Sequence, residues 1–314
     1  MAIPSMEANL TAVPAIGAGR RSDVAHRLTT AILRNRKATA GLVLLLLISF
    51  VAAFPGLFTH DDPQAPIYAQ AAGPSAAHWL GTTQVGQDVY SQLIWGTRLT
   101  LVITVVAGGG ATLLSVLIGV AAAYLGGMTD RVLSLFTDVF LIIPTLPFLI
   151  ILAAYLTGAG TVAIIAALIV TGWAFSARQL RSQGLAVRSR DFLEAARVRG
   201  ERSSYIILVE ILPTMTSLIV ANFMGLATYM VATAAGLQYL GLGTTSDVTW
   251  GTMLYYAQNN DAIQGGSNPL WALAPGFAVV VLGVAFALLN YAFDEVGNPA
   301  LRAVRRRRRV QPAA

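Results

Sequence analysis

Long runs without a charged residue dominate this chain. Apolar side chains fill a first stretch from 38 to 54, and four later stretches, 99–129, 139–177, 211–246 and 262–293, contain no Asp, Glu, Lys or Arg. A helix that crosses a bilayer needs about 20 such residues. The pattern therefore predicts an all-α integral membrane protein.

The charge-free stretches divide into six predicted membrane spans. The 139–177 stretch is too long for one helix, and the residues from Thr157 to Gly160 favour a break within it. Pro213 suits the first turn of a helix, so the fifth span is expected to begin there. The expected spans are 38–54, 99–125, 132–156, 161–177, 213–238 and 270–293.

Basic residues lie almost entirely on one side of these spans. Of the 21 Lys and Arg residues, 20 fall in the N-terminal arm 1–37, the short loop between spans 2 and 3, the loop 178–212 and the C-terminal tail. The exception is Arg98. Cytoplasmic loops carry the excess of positive charge, so both termini and the 178–212 loop are expected in the cytoplasm. This divides the chain into a partly disordered arm 1–37, a membrane domain 38–302 and a basic tail 303–314.

The amino-acid composition excludes several kinds of chemical site. The chain is 55% hydrophobic and 11% charged and has no cysteine, which excludes disulfides and thiolate metal sites. It has no P-loop for ATP phosphates, and His26, His60 and His78 lack metal-ligand spacing and are expected to be solvated. We therefore expect no catalytic residue, no metal and no cofactor bound by this chain. The run Arg305–Arg309 is interpreted as a topology and lipid signal rather than a nucleic-acid site.

Few polar or helix-breaking residues interrupt the spans. Asp138 is expected to face other helices and to pair with a hydroxyl group or an arginine near the cytoplasmic surface. Pro144 and Pro147 free backbone carbonyls in the third span, which is tolerated where a neighbour or a cavity satisfies them. We place four candidates on a translocation path: Asp138, Pro144, Asn222 and Thr228.

The 178–212 loop carries a helical pattern of its own. Phe192, Ala195, Ala196 and Arg199 fall on one side of a short helix around 191–199. The two alanines allow another backbone to approach, and Gly200 can end the helix with a positive φ. A solvated surface helix is the plainer alternative. Loops of about 30 residues inside a compact domain are usually functional, which favours a partner-binding helix.

The same loop contains a signature that resembles a known family. Glu194-Ala195-Ala196, Gly200 and, after a spacer, Leu212-Pro213 are similar to the EAA motif of membrane subunits of bacterial ABC importers. Glu210 stands where that motif usually has Ile.

Other segments resemble the DppC/OppC-like permeases of the dipeptide, oligopeptide and nickel branch: His78–Arg98, Leu237–Gly243, Trp250–Leu254 and Asp294–Arg302. The chain departs from that group at Thr83 and Gln87, where Asp and Arg are usual, and at Ala234, where an acidic residue is common.

The resemblance implies a six-helix ABC-importer permease in the bacterial cell membrane. Its implied partners are a second homologous permease subunit, two ABC ATPase subunits that carry ATP and Mg, an extracytoplasmic solute-binding protein and membrane lipids, with no nucleic acid. The residues implied to couple the permease to an ATPase are Glu194, Ala195, Ala196, Arg197, Arg199, Gly200, Leu212 and Pro213. The binding protein is expected to dock on the outer segments 61–98 and 243–269, for which an aromatic belt at the membrane interface is the alternative.

Three readings of the cargo and mechanism stay open. Di- or oligopeptides are favoured, and an oligosaccharide or a nickel chelate is the alternative within the same importer class. A stand-alone ion-coupled transporter or membrane enzyme is more distant, because it would need several buried ionisable groups within the spans.

Overall fold

Helices make up nearly all the regular structure of the protein. The computed structural model describes residues 35–155, 160–263 and 268–297, and within these ranges the one β pairing is an isolated bridge between Thr82 and Asp88. The helices are α1 Arg36–Ala53, α2 Val89–Leu125, α3 Gly127–Ile142, α4 Thr145–Tyr155, α5 Gly160–Arg188, α6 Asp191–Val198, α7 Leu212–Tyr239, α8 Trp250–Asn259 and α9 Leu270–Gly297. The N-terminal arm up to residue 34, the basic tail, residues 157–159 of the expected break and residues 298–302 of the C-terminal motif lie outside the described residues.

Six spans emerge from the helices, with the third one broken. Five helices are long and apolar enough to cross a membrane: Arg36–Ala53, Val89–Leu125, Gly160–Arg188, Ser203–Tyr239 and Leu270–Phe293. The pair α3 and α4 passes the same test together but is bent by 89°. At 1.5 Å per residue their 16 and 11 residues reach only about 24 and 16 Å, so neither helix spans the membrane alone. The predicted all-α, six-span architecture is confirmed, although the expected continuous third helix 132–156 is not present.

Pro144 explains why the helix breaks between α3 and α4. Pro144 has no N–H to continue α3, and the residue before a proline avoids the helical region. Ile143 accordingly takes an extended conformation, with φ −64° and ψ 126°. The break follows from local chemistry, whereas the size of the angle depends on how α4 packs against α5.

The core lies where α2 crosses α5 and α7. Ser115 on α2 donates its hydroxyl to the Trp173 carbonyl of α5 at 2.7 Å. One turn further along α2, Gly119 lies against the Ala177 backbone, so closely that a Cβ atom there would overlap the Ala177 carbonyl. α7 in turn packs against α2 and α9, and α1 packs against α9. Small residues thus let the spans approach closely, as expected for helices in a bilayer.

The segment expected as the loop 178–212 is mostly helical. α5 continues to Arg188, α6 follows after two residues, and the chain becomes helical again at Ser203. Residues Ile206–Ile211 form a π-helical turn that leads into α7, in which the Leu212 N–H bonds to the Ile207 carbonyl. Pro213 has no N–H for the carbonyl four residues earlier, which favours the wider π turn at this point.

Candidate functional site

The helix α6 is held against the membrane helices by one narrow face. Leu193 and Ala196 are 0% exposed. They share an apolar cluster with residues from α2, α5, the π turn and α7: Val120, Tyr124, Leu180, Ile206, Ile211 and Met215. The inner face of α6 is therefore part of the protein's own core.

The remaining faces of α6 are open to solvent. Glu194 and Ala195 are exposed, and Val198 is 88% exposed. The sequence analysis placed Ala196 on the same side as Phe192 and Ala195, but Ala196 points inward. Adjacent helix positions differ by about 100°, so only one of the two neighbouring alanines can face a partner.

The arginines of this region have different surroundings. The Arg197 guanidinium lies 5.5 Å from the centre of the Tyr124 ring, in cation–π range. The Arg199 side chain is half exposed, 3.8 Å from the Glu201 carboxylate and 4.0 Å from that of Glu210. Glu210, the departure from the usual motif, thus approaches an arginine of the same segment.

Gly200 ends α6 with the positive φ that the sequence predicted. Its φ is 75°, the Gly200 N–H bonds to the Arg197 carbonyl at 2.9 Å, and the Glu201 N–H bonds to the Ala196 carbonyl at 3.2 Å. This pair of bonds is a Schellman cap. No described atom lies within 4 Å of a Cβ built at Gly200, so the requirement for glycine within this chain is conformational.

Leu212 and Pro213 complete the predicted motif with different exposures. Leu212 packs against the apolar cluster beneath α6, whereas Pro213 is exposed. The sequence analysis missed Leu193 and the π turn. The spacing of Leu193 and Ala196, three residues apart, was the available signal for the buried face.

Two ion pairs join α3 to α5 on the same side of the molecule. Arg178 contacts the Asp138 carboxylate, and Arg181 binds both oxygens of Asp130 at 2.6 and 2.7 Å. Such paired hydrogen bonds are the strong form of the arginine–carboxylate contact. Of the two partners expected for Asp138, a hydroxyl group or an arginine, the structure has the arginine.

A cavity of about 520 Å³ lies between α3, α4, α5, α7 and α9. Asn222, one of the four path candidates, lines this cavity. Pro144, Asp138 and Thr228 are not among the described lining residues, although Thr145 next to Pro144 is. Thr228 instead donates to the Met224 carbonyl of its own helix at 3.0 Å.

The outer segment between α1 and α2 is organised by buried polar contacts. Asp88 caps α2 by accepting from the Ser91 N–H at 2.7 Å, and its other oxygen lies 3.0 Å from His78 Nδ1. The centres of the His78 and Tyr68 rings are 4.2 Å apart, and the ring planes are tilted by 60°. Desolvation, together with a hydrogen bond to Asp61, raises the pKa of Tyr68. His78 is therefore a partly buried partner of Asp88, not the solvated side chain expected from the sequence.

Long-range hydrogen bonds tie the outer segments to one another. Asn268 donates to the Leu80 carbonyl at 2.7 Å, and Gln64 donates to the Ser246 carbonyl at 2.6 Å. Residues that precede α2 are thereby joined to those that follow α7 and precede α9. The segments expected on the outer side are therefore linked to one another by hydrogen bonds.

Comparison with known proteins agrees with this architecture. Residues 115–296 match the family described as binding-protein-dependent transport system inner membrane component. The chain is 30% identical over 278 residues to the dipeptide transport system permease protein DppC of Alkalihalophilus pseudofirmus, covering 86% of this chain and 88% of that protein. It is 32% identical to the oligopeptide permease protein OppC of Bacillus subtilis, covering 85% and 87%. It is 29% identical to the nickel permease protein NikC of Escherichia coli, covering 83% and 93%.

Proposed function

Because this chain belongs to the family of binding-protein-dependent transport system inner membrane components, we propose that it is one permease subunit of an ATP-driven ABC importer. The chain forms half of a translocation path, and a second homologous permease forms the other half. Two ABC ATPases supply the energy, since the sequence has no P-loop. An extracytoplasmic binding protein delivers the solute to the outer segments.

The observation that carries this proposal is the one-sided packing of α6. Leu193 and Ala196 hold the helix to the membrane domain, while Glu194 and Ala195 stay exposed. A helix attached in this way can transmit a push from a partner to α2, α5 and α7, because all three contribute to the cluster beneath it. We assign the exposed side of α6, together with Arg199 and Gly200, to contact with an ATPase.

Charge supports an orientation with both termini in the cytoplasm. The positive residues gather on the side of α6. Among them, Arg178, Arg181 and Arg188 belong to the end of α5 that leads into α6. The proposed orientation has α6 beside the cytoplasmic ATPases and the segment 55–88 outside. Residues 303–314, with their five consecutive arginines, are proposed to contact anionic lipid.

Short peptides are the proposed cargo. Relatives named for dipeptide and oligopeptide transport align over more than four fifths of the chain, and so does one named for nickel transport. A nickel chelate or an oligosaccharide remains the alternative within the same class of importer.

Substitution of Gly200 tests the coupling role. Asp at this position adds a negative charge to the exposed end of α6, where φ is 75°. Asn is the matched control, because it has nearly the same shape and both residues tolerate positive φ better than most. We expect Gly200→Asp to lower ATP-driven uptake at least tenfold in a correctly assembled complex that still hydrolyses ATP, and Gly200→Asn to lower it less than threefold. Normal uptake by the assembled Gly200→Asp complex would refute the coupling role.

A further inference from the structure

The cavity beside the broken third span has a lining that points to one kind of solute. We propose that it is a solute-binding station in the cytoplasmic half of the path, and that it favours net-neutral short peptides over peptides with a net charge. This inference rests on the proposed importer function and deepens it, because it assigns part of the selectivity to this chain.

Position along the helices places the cavity between the middle of the bundle and the end that carries α6. Asn222 lies near the middle of the span Ser203–Tyr239, and Asn290 lies twenty residues after the start of α9, which runs the opposite way. The lining thus extends from mid-span toward α6. A solute released by the outer segments would reach this cavity late in its passage.

The described lining carries hydrogen-bonding groups but no Asp, Glu, Lys, Arg or His. It combines three amides and four hydroxyl groups with apolar walls: Gln179, Asn222, Asn290, Thr145, Thr171, Ser176 and Tyr229. Asn222 donates from its side-chain nitrogen to the Leu218 carbonyl at 3.1 Å, and its side-chain oxygen accepts no hydrogen bond from the described residues. A peptide group offers the matching donor and acceptor pair.

The break in the third span leaves two backbone carbonyls near this wall without their usual helical partner. Pro144 and Pro147 have no N–H, so the carbonyls of Phe140 and Ile143 cannot receive the usual helical bond from the residue four positions ahead. Phe140 lines the cavity, and so does Thr145 at the start of α4. Exposed carbonyls at membrane depth are tolerated where they line a cavity, and they suit a solute with N–H groups.

The described lining offers no charged side chain to pair with a charged solute. Asp138 and Arg178 are close in sequence to lining residues, but neither is among the described lining residues, and the two are paired with each other. A net charge that leaves water without a partner is strongly disfavoured. The volume of about 520 Å³ falls within the range of small-molecule sites, which run from about 300 to 1,000 Å³.

Thiol protection tests this inference, because the natural chain has no cysteine. The Asn222→Cys variant places a thiol in the cavity wall. The control is Thr233→Cys on the same helix, where the native hydroxyl bonds only to the Tyr229 carbonyl of its own helix. Each variant is assembled into the complete transporter in proteoliposomes. The rate at which this chain is alkylated is then measured in the presence of 10 mM Ala-Ala-Ala, Ala-Asp-Ala or maltotriose.

We expect Ala-Ala-Ala to slow alkylation of Asn222→Cys at least fivefold and the other two solutes to slow it less than twofold, with no effect at Thr233→Cys. The Asn290→Lys variant, which adds a positive charge to the cavity, should raise the ratio of Ala-Asp-Ala to Ala-Ala-Ala uptake at least tenfold.

The experiment distinguishes a failure of the cavity inference from a failure of the proposed peptide cargo. If the wild-type complex takes up Ala-Ala-Ala with ATP, but Ala-Asp-Ala protects Asn222→Cys equally well or neither peptide protects it, the cavity inference is wrong and the importer function stands. Protection by maltotriose alone would also overturn the inference, in favour of a sugar site. If the wild-type complex takes up no peptide with ATP, the proposed peptide cargo is wrong and the inference falls with it.

Discussion

The segment 55–88, expected on the outer side, and the helix α6, expected on the cytoplasmic side, are held in place in different ways. The outer segment has little regular structure, yet its polar groups find partners within the chain, such as Asp88 with His78 and Ser91. α6 is a regular helix, yet it contributes only two buried side chains, Leu193 and Ala196, and exposes the rest. The outer segment is ordered by contacts within this chain, whereas most of the α6 surface makes no such contacts.

This difference indicates where the protein needs a partner to hold its shape. An outer segment that is already ordered can receive a docking protein with little loss of conformational entropy. α6 depends on a few apolar contacts, so a second protein seated on its exposed side would add much of its final rigidity. The contrast predicts that substitutions under α6 disturb coupling far more than substitutions on its surface.

Leu193→Ala should give the largest effect. Removal of a buried leucine costs about 2–5 kcal/mol, and even 2 kcal/mol raises the detached population of α6 roughly 30-fold. Trypsin cleavage after Arg197 or Arg199 in inside-out vesicles measures that detachment, and ATP-driven uptake should fall in parallel. The control is Val198→Ala on the exposed face, for which cleavage and uptake should change less than twofold. If Leu193→Ala and Val198→Ala changed cleavage and uptake equally, the difference argued here between the buried and exposed faces of α6 would be wrong.

Asp88→Ala should give an intermediate effect confined to the outer segment. The variant loses the N-cap of α2, which is worth about 1 kcal/mol, and it also removes the partner of His78. We expect hydrogen exchange of the amides around 78–91 to become roughly five to ten times faster, as an opening free energy lowered by 1 to 1.4 kcal/mol implies. Asp62→Ala is the control, because among the described residues the side chain of the exposed Asp62 bonds only to the nearby Gln64 N–H. If exchange around α6 rises as much as exchange around 78–91, the two regions are not independent.

Glu210→Ile, which restores the residue usual in the motif, should give the smallest effect. Arg199 and Glu210 are 4.0 Å apart, and the Arg199 side chain is half exposed. A screened pair of this kind contributes at most a few tenths of a kcal/mol, on the order of 0–0.5. Uptake should therefore change less than twofold at low or high salt. A loss of more than tenfold, reproduced by Glu210→Gln, would give Glu210 a direct role in coupling.

The sequence predicted those features that depend on local chemistry. Charge-free stretches identified the spans, the 3.6-residue spacing identified α6, and Gly200 was recognised as its cap. The pairing of Asp138 with an arginine followed from the cost of leaving an acid unpaired beside apolar helices.

The features that were missed depend on packing between distant segments. The inward direction of Ala196 is set by Leu180 and Ile206, which no spacing rule relates to α6. The contact of His78 with Asp88 requires the outer chain to fold back on itself. The cavity needs four spans in register, so Asn222 could be proposed as a path residue but not joined to Asn290 from the sequence.

Site-directed cross-linking from neighbouring alanines tests the central claim most directly. Ala195 is exposed and Ala196 is 0% exposed, and the chain has no other thiol to react. In inside-out membrane vesicles, Ala195→Cys should cross-link to a subunit that mass spectrometry identifies by a P-loop sequence, with a yield that changes when ATP is added, whereas Ala196→Cys should give less than a tenth of that yield. Equal cross-linking from both positions, or labelling of Ala195→Cys by an impermeant reagent added outside intact cells, would contradict an ATPase contact through the exposed side of α6.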